Sequence, residues 1–379
     1  MRSLQWEQVH ARRLARNHLR ERAPRERLAD VVRDVGGVQA QVAAASELAL
    51  AARVESITRA DVRAALWDRR ELVKAWTLRG TLHLHAAADF PLWIAARRTS
   101  VYWREPRWLE TFALTIDEAE AIVAAIGDAL DGRALTRQEL GDEVAARVGE
   151  WARRETPVIQ FGKPGVTWHQ LLGAEPVTVC QGPPRGRNVT FVRADQWVPG
   201  WHEPDPASAL AEAFRRYLAT YGPATPDEFA HWLYPRRRGE ARRLADELAG
   251  ELEPVEVDGR HSWLLASDAD AEERTAGTVR LLPDYDCYLI GAAPPGRQRE
   301  AVVPAATGNR VFGGGAGPFA AVVVDGTVAG AWKRRARGKR VAIRVEPFRR
   351  LTTFERRKLH EEARRIGEFL GAEPDLEIA

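Results

Sequence analysis

The feature that most constrains this 379-residue chain is a pattern of helix starts that occurs twice. "ALTRQELGDEVAARV" is followed downstream by "EPVTV", and "PATPDEFAHWLYPRR" by "EPVEV". Thr136 precedes Glu139, and Thr225 precedes Glu228, in the T-x-x-E arrangement of a capping box. The threonine oxygen accepts from a first-turn N–H while the glutamate reaches back to the threonine N–H, so the spacing marks a helix start. Pro226 adds a residue pre-set for the first helical position. An amphipathic helix precedes each box: Ala119, Ile122, Val123, Ile126 and Leu130 share one face, as do Leu210, Phe214 and Leu218 in the other. Each unit ends in a hairpin. In "EPVEVDGRHSWLL" the pair Asp258-Gly259 is a two-residue turn signal, and "EPVTVCQGPPRGRNVTFV" is a longer version. Helix, capped helix, further helix and hairpin is the order of a winged helix.

The N-terminal segment reads similarly. Helices are expected near 6–20, 25–35, 39–53 and 58–70, with a cap in Thr58–Asp61, followed by a strand pair in "LVKAWTLRGTLHLH". It is read as a third winged helix. Beyond residue 275 the pattern turns β-rich. "TVRLLPDYDCYLIG" and "RVAIRVEPF" read as strands, and "FAAVVVDGTVAGAWKRR" as a hairpin around Asp325-Gly326. "GNRVFGGGAGP" reads as a loop and "TFERRKLHEEARRIGEFLG" as a closing helix. The expected class is α+β: three tandem winged-helix motifs with a C-terminal β-rich subdomain and closing helix. The expected segments are 1–108, carrying Gln-Ala-Gln; 109–200 and 201–270, the second and third winged helices; 271–350, β-rich with a DNA-contacting hairpin; and 351–379.

Composition narrows the function. With 45% hydrophobic and 29% charged residues, the chain is of ordinary globular type. It has no apolar run long enough to span a bilayer, and "MRSLQWEQVHARRLARNHL" lacks a signal-peptide core. Cys180 and Cys287 form no motif, so neither a disulfide framework nor a zinc site is expected. These features point to the cytoplasm and away from membranes. Net charge is only +3, yet the pI is near 9.0. The cations cluster in "KRRARGKR" (333–340), in "PRRRGEARR" (235–243), and at Arg97, Arg98, Arg104 and Arg107. Clusters of this kind suit a phosphate backbone, although solvated faces also produce them. No P-loop or dinucleotide fingerprint occurs, and no cofactor is expected. His83 and His85 would face one side of a strand, but without a third ligand no metal is expected. Asp284 and Asp286 read as a turn rather than as a metal-binding pair.

One stretch resists a structural account. "GGVQAQVAAASELALAARV" (36–54) places Gln39 and Gln41 where a glycine bend becomes a helix. With "VGGVQAQ", "WTLRGTLHL", "LLPDYDCYLIG" and "VVVDGTVAGAWKRR", the chain resembles the AlkZ/YcaQ group of bacterial DNA glycosylases, built on tandem winged helices. The resemblance covers most of the chain. In that group a Gln-apolar-Gln or Gln-apolar-Asp triplet is catalytic. The triplet here, Gln39-Ala40-Gln41, matches the AlkZ-like Gln-x-Gln branch and departs from the Asp-bearing one.

The resemblance implies a monofunctional DNA glycosylase acting on bulky cationic N7-alkylguanine, in self-resistance to alkylating or crosslinking natural products. Gln39 and Gln41 would be its catalytic residues. Such a lesion is already a good leaving group, so the enzyme need only orient water and stabilise a sugar cation. An amide oxygen can do both, although it is no strong base. In a regular helix residues two apart lie about 200° apart. The two amides can converge only if Gln39 lies outside the helix or at its cap. Arg79, Trp332, Lys333, Arg334 and Arg335 are the expected DNA-binding residues. The expected partner is duplex DNA carrying alkylated guanine, bound by a monomer, with neither metal nor cofactor. The glutamines should lie on an open, arginine-lined face rather than in an aromatic-walled pocket. The rival reading is a non-enzymatic winged-helix regulator, which gives the Gln-Ala-Gln triplet no role.

Overall fold

The computed structural model describes residues 1–98, 101–160, 163–174, 178–234, 238–268, 277–312 and 318–379. Positions 175–177 of the "EPVTV" segment, 235–237 of a basic cluster and 313–317 of the glycine-rich stretch lie outside the described residues. The chain forms two compact units, Met1–Arg63 with Phe214–Ala379, and Ala64–Ala213. They group the five expected segments differently, because the N-terminal 63 residues belong with the C-terminal part.

The Ala64–Ala213 unit holds the second winged helix. Thr136 and Glu139 form the expected box, with Thr136 N–H donating to Glu139 Oε2 at 2.8 Å and Glu139 N–H to Thr136 Oγ1 at 3.3 Å. The helices Ile116–Ala129 and Arg137–Val148 bury Ile122, Ile126, Leu140 and Val144 with Trp103, Trp168 and Phe191. The hairpin Val179–Arg185/Asn188–Arg193 joins Leu72–Trp76 through the pair Ala75↔Cys180, and Leu72–Trp76 pairs with Leu82–Ala86. Two wings thus share one sheet. Each alone would leave an open strand edge; joined, they satisfy it.

The third winged helix follows its expected order, from Pro206–Tyr221, whose first residues still belong to the Ala64–Ala213 unit, to Pro226–Leu233, Arg238–Glu247 and the hairpin Leu252–Val257/Arg260–Leu265. Phe214 packs on Phe229 with ring centroids 4.9 Å apart. Asp258 (φ 50°) and Gly259 (φ 71°) make the turn, as the Asp-Gly signal requires. Arg2–Leu4 adds to this hairpin as a parallel strand. The larger sheet orders Val279–Leu282, Ala321–Val324, Thr327–Arg337, Arg340–Pro347 and Glu373–Ile378.

Several expectations need correction here. The closing helix spans Thr353–Leu370, but the chain then turns at Gly371 into the strand Glu373–Ile378, parallel to Arg340–Pro347. In "TVRLLPDYDCYLIG" only Val279–Leu282 is strand; Cys287–Ala292 is helical, because Asp286 caps it by accepting from Tyr288 N–H at 2.9 Å. The glycine-rich stretch begins with a short helix, Gly308–Phe312. No helix among the described residues is long and apolar enough to cross a membrane.

Candidate active site

The Gln-Ala-Gln segment is built from a bend outward. Gly36 (φ 71°) and Gly37 (φ 113°) take the left-handed backbone that other residues avoid. The bend is held from the side: Tyr221 OH donates to the Val35 carbonyl at 2.9 Å, and Thr220 Oγ1 donates to that of Asp34. The chain then runs extended through Val38–Gln39, and the helix starts only at Ala43, not near 39. Both glutamines precede it, which removes the opposed geometry of a helical i, i+2 pair. Ala40 between them is fully buried. Gln41 is partly exposed, and Val42 is 43% exposed.

Gln39 is only 7% exposed, so the expected open face is open at Gln41 rather than at Gln39. Its amide has no hydrogen-bond partner among the described residues. The amide atoms keep contact with solvent, so water can reach them.

The helix Ala43–Ala51 is fixed at its far end. Arg53, fully buried, donates to both oxygens of Asp286 at 2.8 and 2.7 Å and to the Ala49 carbonyl at 2.9 Å. Burial alone would lower the guanidinium pKa, but Asp286 more than reverses this, so the pKa is raised. Arg22 donates to the Ala52 carbonyl at 3.1 Å, and Arg365 donates to that of Ala51. Both arginines pair with Glu362, whose carboxyl burial would push up; Arg365, Arg22 and Arg280 instead hold it at about 2. Sequence reading missed this clamp because the contacts that close it, Arg53 to Asp286, Arg22 to Glu362 and Arg365 to Ala51, each join residues more than 200 positions apart. Asp284 accepts from Ala320 N–H at 2.9 Å. Neither aspartate is part of a metal cluster, and no group of three metal-ligating side chains occurs among the described residues.

Lys333, Arg334 and Arg335 do not sit at the Asp325-Gly326 turn. They lie on the far half of Thr327–Arg337, in the next hairpin, where Lys333 pairs with Arg344 and Arg335 with Ala342. Strand alternation puts exposed Lys333 and Arg335 on one face and half-buried Arg334 on the other. Trp332 is not available to DNA: it is 4% exposed and its Nε1–H donates to the Leu282 carbonyl at 2.7 Å. Burial and then Arg59 lower the Arg334 pKa, while Asp284 and Glu47 act against them. Glu47 belongs to the glutamine helix and pairs with Arg59 at 3.1 Å, so this hairpin lies within electrostatic reach of that helix.

Arg79, in the other compact unit, is left-handed (φ 54°), a conformation that non-glycine residues rarely adopt. Its Nη2 donates to His83 Nε2 at 3.2 Å, while His83 Nδ1 faces the Thr81 carbonyl at 2.9 Å. The second contact requires the proton on Nδ1, which leaves Nε2 to accept. Burial, then Arg79, push the His83 pKa well below its ordinary value, in keeping with a neutral ring. His85 bonds through Nε2 to Thr77 Oγ1 at 2.8 Å. In the Arg97–Arg107 cluster, Arg97 donates to the Trp76 and Gly173 carbonyls, Arg98 pairs with Glu203 and Arg104 with Glu120. Three of those four cations are therefore engaged within the protein.

A winged-helix fold is a DNA-binding scaffold, and here an uncharged amide pair lies just ahead of one of its helices. The family described as DNA glycosylase AlkZ-like matches residues 32–369. An interstrand DNA cross-link repair glycosylase of Streptomyces sahachiroi is 32% identical over 338 residues, covering 86% of this chain and 87% of that relative. The solved structure of the Streptomyces sahachiroi DNA glycosylase AlkZ superposes with a TM-score of 0.83 at 28% identity, covering 100% of both chains. The chain belongs to the AlkZ-like DNA glycosylase family, whose members hydrolyse N-glycosidic bonds. This sets aside the reading as a non-enzymatic regulator.

Proposed function

We propose that the chain is a monofunctional glycosylase that excises bulky, cationic N7-alkylguanine from duplex DNA, in self-resistance to alkylating or crosslinking natural products. The observation that carries this reading is the Gln39 amide, held on an extended segment ahead of the helix, without a hydrogen-bond partner among the described residues and still reached by solvent. Gln39 and Gln41 position the attacking water through their amide oxygens, and the same oxygens stabilise the sugar as it becomes oxocarbenium-like. Amides are weak bases, so ordinary bases with neutral leaving groups stay intact, and selectivity comes from the charge already on the lesion. Lys333 and Arg335, exposed on one strand face, hold the backbone, as does Arg79. The adduct stays stacked while water reaches the sugar from the groove, because a crosslinked base cannot rotate into a pocket. The Streptomyces relative named for cross-link repair supports bulky lesions as substrates.

The test is incubation with duplex containing N7-methylguanine, followed by alkali. Strand breaks only after alkali are expected. Breaks without alkali, or none at all, would overturn the assignment.

A further inference from the structure

From the basic stretch that ends at 243, Arg238 and Arg242 have no part in the site above, yet they line a cavity of about 490 Å³ in the third winged helix. The cavity lies between the start of Arg238–Glu247, the wing turn and the segment around Pro294–Gln298. Four guanidinium groups line it, from Arg238, Arg242, Arg260 and Arg297. Arg242 grips Asp227 at 2.8 and 2.6 Å, and Arg297 meets Asp258 at 3.1 Å. Arg238 and Arg260 are exposed and form no ion pair among the described residues. The cavity therefore keeps a positive excess.

The wall behind it is rigid and polar. Gln298, 7% exposed, donates to Glu228 Oε2 at 3.0 Å and accepts from fully buried Arg13 at 2.5 Å. Glu228 also closes the capping box on Thr225 at 2.7 Å. Sites for small organic ligands are mostly apolar. This one is lined mainly by charged and polar side chains, with arginines arriving from three separate segments. Such a lining matches phosphodiester oxygens spaced along a backbone.

We infer that this cavity is a second DNA-backbone site, in which Arg238 and Arg260 hold phosphates of the duplex, apart from the Gln39/Gln41 segment and the basic hairpin. The inference rests on the proposed function in taking duplex DNA as the ligand. The site adds affinity and register without touching the reacting sugar.

The test compares wild type with Arg238→Ala/Arg260→Ala. Both side chains are exposed, so folding is retained. Binding of undamaged duplex is measured across a salt series, beside the control Arg133→Ala/Arg147→Ala, which removes two cations paired with Glu143. The double variant should bind about tenfold more weakly, with a salt slope smaller by about two units. Its single-turnover excision rate at saturating enzyme should be unchanged. An unchanged slope overturns the inference, as does an equal loss in the control. So does thermal stabilisation by inorganic phosphate that disappears in the variant while duplex binding does not, because that outcome assigns the cavity to small anions. Binding of undamaged DNA does not depend on excision. A wild type that binds but does not excise therefore sinks the proposed function and leaves this site standing.

Discussion

Gln39/Gln41 and His83/His85 are both polar pairs spaced i, i+2 next to an extended segment, and their fates differ. Both histidines are 1% exposed and engaged: His83 between the Thr81 carbonyl and Arg79, His85 with Thr77. Gln39 is nearly as enclosed, at 7%, but its amide has no protein partner among the described residues. A polar side chain that is buried and bonded is held by its surroundings; one that makes no protein bond and keeps solvent access is open to water or a ligand. Spacing alone does not separate the two cases.

Substitution at the glutamines gives the sharpest contrast. Gln39→Ala or Gln41→Ala should slow single-turnover excision by about 100-fold or more while DNA affinity stays close to wild type. Near wild-type rates in both variants would break the comparison.

Stability should respond in the opposite order. His83→Ala removes the partner of the Thr81 carbonyl and one contact of Arg79, and should cost about 2–4 kcal/mol in denaturant unfolding. Gln39→Ala breaks no protein hydrogen bond and should cost less than about 1 kcal/mol. Equal costs would mean that the Gln39 amide is structural after all.

A smaller effect is expected at the basic hairpin. Neutralising Lys333 and Arg335 should weaken binding alike on any sequence, and the salt slope should shrink by about one unit per lost phosphate contact. An unchanged slope would remove these two side chains from the backbone contacts. Trp332→Phe breaks only the bond to Leu282 and should leave the slope as it is.

The pH dependence is the mildest test. His83 titrates well below its ordinary value because of burial and Arg79, and burial first, then nearby arginines, lowers His10 and His169 to about 4. These groups have depressed folded pKa values, so the unfolded chain takes up protons that the native one does not. Stability is then full above about pH 6.5 and falls as pH drops from there toward 4. Glu362 and Glu355, each held at about 2 by arginines that outweigh burial at the former and reinforce hydrogen bonds at the latter, add a second loss below about pH 4.5. Thermal midpoints measured against pH should show both phases. His83→Gln should reduce the first, and Gln39→Ala should leave it unchanged. A flat midpoint between pH 6.5 and 4.5 would contradict the buried neutral imidazoles.

The sequence by itself determined the local features. Thr136, Thr225 and Thr58 announced helix starts that the structure builds, and Asp258-Gly259 and Asp325-Gly326 announced their turns. Gly36-Gly37 allowed the bend that keeps Gln39 out of the helix. In each case a few adjacent residues satisfy one another's backbone groups, so the information lies within a few positions. The helix that matters most carries no such signal. Val42 stands at its N-cap with no side-chain hydrogen bond, so its start was misplaced.

Only the tertiary structure decided the rest. It buried Trp332, joined two wings through Ala75↔Cys180, and sent Glu373–Ile378 into the sheet beside Arg340–Pro347. It locked Arg53 onto Asp286, and it engaged Arg97, Arg98 and Arg104 within the protein while leaving Arg238 and Arg260 without an ion pair among the described residues. Strand edges and buried charges are satisfied by whichever distant segment arrives with the complementary group. Whether a given cation or amide meets a partner inside the protein or stays open to DNA is therefore set by packing and not by its neighbours in the chain.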